Sequence, residues 1–272
     1  MTTDAHTCLS SAQEDNFHGK MATDSIPDNK NGRFGSAGGT TGWSMSASGL
    51  AAVWATQNTR ESIIDAIRRR EVYASSGPRM SLRFYAGFDL ALSVPPTALE
   101  LESALAQSVA MGGVLTGDAA GEPVFYVEAL HDPDSAFLDR IQIVKGWLAA
   151  DGESREQVFD VALSDSRRQR GDGSVVPIED TVDRRTGRVD NRVGAASLTA
   201  VWRDPGFDPG QSAFYYARVL QIPTARHSFL DALALGRDKA EGQPDVIQER
   251  AYSSPIWYRP SAPSMINPGV TQ

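Results

Sequence analysis

From residue 123 onward the chain breaks into short apolar runs separated by turn signals, and this pattern limits the fold more than any other feature. The runs are 124–130 (V-F-Y-V-E-A-L), 140–148 (R-I-Q-I-V-K-G-W-L), 157–163 (Q-V-F-D-V-A-L), 197–202 (S-L-T-A-V-W) and 213–222 (A-F-Y-Y-A-R-V-L-Q-I). All are rich in β-branched and aromatic residues, and several alternate. In 140–148, Ile141, Ile143 and Lys145 would face one way, with Gln142 and Val144 facing the other. The turns D-P-D-S and D-G-E-S punctuate the runs, and the polar stretch 164–191 is too long for a tight hairpin. The pattern predicts a mainly antiparallel sandwich or wrapped sheet.

The first half is less regular. Residues 2–11 allow a short strand, and 22–42 read as a polar, Gly-rich loop without the G-x-x-x-x-G-K-[ST] spacing of a phosphate cradle. Residues 43–56 are small and apolar, as in a buried connection. Asn58 reads as an N-cap with Glu61 three residues on, and Ile63, Ile64 and Ile67 fall at helical spacing beside Ala66. Arg68, Arg69 and Arg70 close that helix, where cations oppose the negative end of its dipole. An extended piece over 72–80, a strand over 81–92 and a helix over 97–109 follow. Near the end, 231–237 reads as a short helix, 253–260 as an extended segment and 261–272 as a frayed tail.

Composition excludes several classes. At 272 residues the chain can bury a core without disulfides, and its one cysteine, Cys8, permits neither an internal disulfide nor a Cys-rich zinc site. A net charge of −8 disfavours a nucleic-acid partner, since phosphate binding needs a basic stripe. No apolar run is long enough to span a membrane. Residues 1–20 have no apolar core of a signal peptide, so the cytoplasm is the default compartment, with the periplasm open for longer relatives.

Ligand-type chemistry concentrates in residues 1–20, which hold Asp4, His6, Glu14, Asp15, Asn16, His18 and Lys20. An Asp-x-His on a strand presents both side chains on one face, where a carboxylate and an imidazole can ligate a divalent metal. Asp4 and His6 form such a pair; the plainer reading is two surface residues near a terminus. Glu14, Asp15, Asn16 and Lys20 can supply a base, a ligand and an anion contact, or simply form a solvated acidic turn. Arg79, just after Gly77-Pro78, can clamp a phosphate or carboxylate; a lone arginine is more often an ion-pair partner. His131 and His227 read as a turn and a loop histidine. The chain lacks H-x-H, H-E-x-x-H and a G-x-S-x-G elbow.

Seven segments resemble the domain-of-unknown-function family 3604: D-A-H-T (4–7), E-D-N-F-H-G-K (14–20), G-W-S-M-S-A-S-G-L-A-A-V-W-A (42–55), R-R-R-E-V-Y-A-S-S-G-P-R (68–79), L-D-R-I-Q-I-V-K-G-W (138–147), A-F-Y-Y-A-R-V-L-Q-I-P-T (213–224) and I-Q-E-R-A-Y-S-S-P-I-W-Y (247–258). That family resembles the polymerase-and-histidinol-phosphatase (PHP) type of metal-dependent hydrolase, a distorted α/β barrel with a multi-metal cluster. The resemblance implies an α+β chain: residues 1–80 would be the C-terminal remnant of a PHP-like barrel, 81–260 a β-rich appendage and 261–272 a tail. Asp4 and His6 match the last metal motif. The earlier ligands of longer relatives precede that motif, which implies a truncated C-terminal portion, inactive alone and missing an N-terminal half. Its implied cofactors are divalent metal ions, held only if the site is completed, and its partner a small-molecule substrate, with Lys20 and Arg79 as anion contacts. The alternative expectation is a non-catalytic β-domain that binds or scaffolds.

Overall fold

The structure is a computed structural model that describes residues 12–17, 19, 21, 26–31, 33–34, 40–88, 90–117 and 121–261. In chain order its strands are Arg33–Phe34 (β1), Thr40–Thr41 (β2), Leu50–Val53 (β3), Val72–Ser75 (β4), Ser81–Gly87 (β5), Val109–Ala110 (β6), Val114–Gly117 (β7), Val124–Leu130 (β8), Leu138–Leu148 (β9), Ser154–Leu163 (β10), Ser197–Arg203 (β11), Ala213–Gln221 (β12), Thr224–Ala225 (β13), Val246–Ile247 (β14), Arg250–Ser253 (β15) and Ile256–Pro260 (β16). The helices are Arg60–Arg69 (α1), Ala98–Ala106 (α2) and His227–Leu235 (α3). The chain is α+β, and its β-rich part is built of antiparallel sheets with, among the described residues, a single parallel pairing, β7 with β16. No helix among the described residues is long and apolar enough to cross a membrane.

Two sheets carry the core. The larger has eight strands in the order β10-β9-β12-β15-β4-β3, with β16 joining β12 and β7. β12 is long enough to take two partners on one side: β16 pairs with its first half and β15 with its second. The smaller sheet runs β11-β8-β5-β6. β3 and β4, from the segment before residue 81, hydrogen-bond through β15 into the same sheet as β9, β10 and β12.

Side-chain alternation explains why the sheets stack. Leu82, Phe84 and Ala86 of β5 and Phe125, Val127 and Ala129 of β8 point into a core shared with Ile141 and Ile143 of β9 and Tyr215, Ala217 and Val219 of β12. The Phe125 ring lies 4.5 Å from that of Tyr215, so the two sheets touch directly. Each such ring contributes about 1.5–3 kcal/mol by leaving water. β8 is buried on both faces, because α2 covers its other side through Ala104 against Val124. β9 is also buried on both faces: Gln142, Val144 and Lys145 are buried along with the two isoleucines. Lys145 donates to Asp204 at 2.5 Å, and the Tyr215 hydroxyl donates to the same carboxylate at 2.8 Å. Asp204 follows β11 of the smaller sheet, so this buried charge pair ties the two sheets together.

α1 forms where its caps predict, one residue later than the sequence suggested. Thr59, not Asn58, is the N-cap and accepts from the Ser62 N–H at 3.3 Å. Arg70 ends the helix in the left-handed region. The isoleucine stripe does not make the core: Ala66 is fully buried, while Ile67 is 54% exposed. Residues 43–56, expected as a buried connection, contain β3.

Candidate functional site

The N-terminal segment is fastened to the rest of the chain through buried polar groups. Glu14, in a 3-10 turn over Glu14–Asn16, is buried rather than solvated. Its carboxylate accepts from the Ala47 N–H at 2.7 Å and from the His227 N–H at 2.8 Å. The second contact caps α3 from a distance, putting a negative charge at the positive end of its dipole. His227 is buried, donates from Nε2 to the Met45 carbonyl at 2.7 Å, and packs its ring 4.6 Å from Phe17. Arg226 donates to the Trp43 carbonyl at 2.6 Å and also to that of Met45. Burial pushes the pKa of this guanidinium down, and the Glu14 charge opposes that shift. Lys30 pairs with Asp231 on α3 and lies 4.8 Å over the Trp43 ring.

Beside this clamp opens a cleft of about 400 Å³. Glu14 and Asp15 line one wall and Pro78 and Glu249 another, with Ser135, Thr224 and Arg188 closing it. Four of the segments that carry the family resemblance therefore meet here, although they lie far apart in the chain.

Glu249 is the chemically distinct group in the cleft. It sits just before β15 and is only 3% exposed. Its carboxylate accepts from the Ser76 hydroxyl, which in turn accepts from the Arg250 N–H at 2.8 Å. Gly77 makes room for it: a Cβ at that position would lie 3.1 Å from Oε1 of Glu249. Burial pushes the Glu249 carboxyl up to about 7; the Ser76 hydrogen bond opposes this, and the nearby Glu14 charge adds to it. A carboxyl in this range can hold or release a proton at neutral pH.

The other residues singled out from sequence are placed as follows. Asp4, His6, Cys8, His18 and Lys20 lie outside the described residues. Arg79 is 62% exposed on its side chain and pairs with Asp134 at 2.6 Å, while its backbone N–H donates to Asp132 at 2.8 Å. Its neighbours Pro78 and Asp134 line the cleft. Among the described residues no group of three or more His, Cys, Asp or Glu side chains is arranged to hold a metal ion. Sequence reasoning missed Glu249, Ser76 and Arg188. The faint signal for Glu249 is that it is the sole acid in the segment 247–258.

A family model described as a protein of unknown function, DUF3604, matches residues 1–260. The chain belongs to the DUF3604 family. No curated protein and no solved structure matches it. The match takes in every segment that forms this cleft, so the cleft lies wholly within the DUF3604 region.

Proposed function

We propose that this DUF3604 chain works within a metal-dependent hydrolase of the PHP type, acting on a phosphoester, and that the cleft beside Glu249 is where its own residues take part. The observation supporting this reading is the meeting of four separated segments around a carboxyl poised near neutrality. Glu249 would take a proton from an attacking water and return it to the leaving oxygen, while Ser76 holds its carboxylate in place. Arg188 has no ion-pair partner among the described residues and would orient an anionic substrate group, with Lys20 and Arg79 as further anion contacts. Asp4 and His6 would ligate the metal. Both oxygens of Glu14 are committed to backbone N–H groups, so Glu14 serves as a clamp and not as a further ligand. A bound divalent ion would supply an activated water and polarise the phosphoryl group.

Calorimetric titration with Mn²⁺ or Zn²⁺ tests the reading. Wild-type protein should bind weakly, because two ligands hold an ion poorly, and the double substitution Asp4→Ala, His6→Ala should abolish that binding. A wild type that binds neither ion, or a double variant that binds as well as wild type, removes the metal-hydrolase reading for this chain.

A second reading, the β-sandwich as a binding module, is favoured by a partly exposed aromatic patch on the outer face of the larger sheet. Trp257 alone is 41% exposed.

A further inference from the structure

The outer face of the eight-stranded sheet carries a row that the core does not use. In β12 the odd-numbered side chains from Ala213 to Val219 enter the core, so Phe214 points the other way. Phe214 is registered directly opposite Trp257 of β16 on one side and Gly146 of β9 on the other. Gly146 in turn faces Glu156 of β10. Trp257, Phe214, Gly146 and Glu156 thus form one line across four strands, about 14 Å at ~4.8 Å per strand.

The line is built as a floor. A Cβ at Gly146 would lie 2.2 Å from the Phe214 ring, so that ring lies over the bare backbone of the neighbouring strand. The Trp257 ring continues the surface at 5.3 Å, tilted by 52°. The groove above has a volume of about 780 Å³. Glu156 and Arg259 stand on its rim, both exposed, and neither has an ion-pair partner among the described residues. A dry protein interface over this face would strand both charges without water, at a cost of several kcal/mol.

An aromatic floor with a free carboxylate and a free guanidinium at its margin is the arrangement a pyranose ring needs. The apolar C–H face of the sugar stacks on the rings, and its hydroxyls both donate to a carboxylate and accept from a guanidinium. We propose that this groove binds a short oligosaccharide, with Trp257 and Phe214 as the stacking platform and Glu156 and Arg259 as hydroxyl contacts. The site lies on the outer face of the larger sheet and shares no lining residue with the cleft beside Glu249.

Calorimetric titration of the whole chain with a panel of soluble hexasaccharides of glucose, xylose, mannose and N-acetylglucosamine tests this. At least one should give saturable binding. Trp257→Ala should weaken it about tenfold or more, and Glu156→Gln by a smaller factor, with thermal unfolding unchanged in both. Gly146→Val, which lifts the Phe214 ring, should also weaken binding. No saturable binding to any panel member at millimolar concentration overturns the proposal, as does binding that Trp257→Ala leaves intact. Self-association abolished by Trp257→Ala, without sugar binding, would assign the face to a second copy and overturn it as well.

Discussion

Glu249 shows how a single side chain can carry a pH signature for the whole protein. Its folded-state value, about 7, lies above the ordinary glutamate value of 4.5, so the folded chain keeps a proton that the unfolded chain has already lost. Stability should therefore fall as pH rises from about 4.5 to 7 and level off above that range. The full effect is on the order of 3 kcal/mol at 1.36 kcal/mol per unit. Glu249→Gln, measured by urea unfolding at pH 5 and pH 8, should flatten this slope and make the variant more stable than wild type at pH 8. Glu14→Ala should lose about 2–3 kcal/mol, since two buried N–H groups lose a charged acceptor, and should move the Glu249 transition to lower pH. None of this was readable from sequence. A glutamate next to an arginine in 249–250 looks like a solvated pair, and only the packing of residues 76–78 and 14 against it creates the unusual acidity.

Secondary-structure elements were legible in proportion to how local their causes are. β8, β9, β10, β11 and β12 appear at the predicted places because each is a run of seven to eleven residues rich in β-branched and aromatic side chains and bounded by turn signals. β3, β7 and β15 have four residues each, too few for a period to show, and owe their existence to partners far away in the chain. α3 begins at His227, four residues before the predicted 231, because its cap is the carboxylate of Glu14, which no local pattern reveals. α1, whose caps are local, was read to within a residue, but the spacing of its isoleucines did not reveal that Ile67 stays exposed while Ala66 is buried. Helical spacing shows which residues share a face, not whether anything packs on it. Thr59→Ala should cost about 1 kcal/mol in urea unfolding, because the Ser62 N–H loses its acceptor. Asn58→Ala should be nearly neutral, which would separate the observed cap from the one expected from sequence.

For the whole molecule the sandwich was predictable and its centre of charge was not. Lys145 was expected to alternate with its neighbours on a half-buried strand, but it lies buried between the sheets beside Asp204 and Tyr215. Asp204→Ala should destabilise the protein by about 3–5 kcal/mol, because it leaves the Lys145 ammonium buried without its partner. Combining it with Lys145→Met should restore much of that loss, and a double-mutant cycle in urea measures the difference. The site shows the same division. Its segments were identified from their resemblance, but their meeting in one cleft depends on β15 lying between β12 and β4.

That strand order also sets a timetable for synthesis. β4, at residues 72–75, pairs with β15 at 250–253, and β7, at 114–117, pairs with β16 at 256–260. The early strands leave the ribosome well before their partners exist, so the larger sheet cannot close until the last fifteen or so described residues emerge. Until then β4, β7 and one side of β12 present open hydrogen-bonding edges, which are templates for pairing with another nascent chain. Pairings this distant in sequence also make the final closure slow. Yield in a cell should therefore depend more on elongation rate and on chaperones that shield open edges than the finished fold's buried core would suggest.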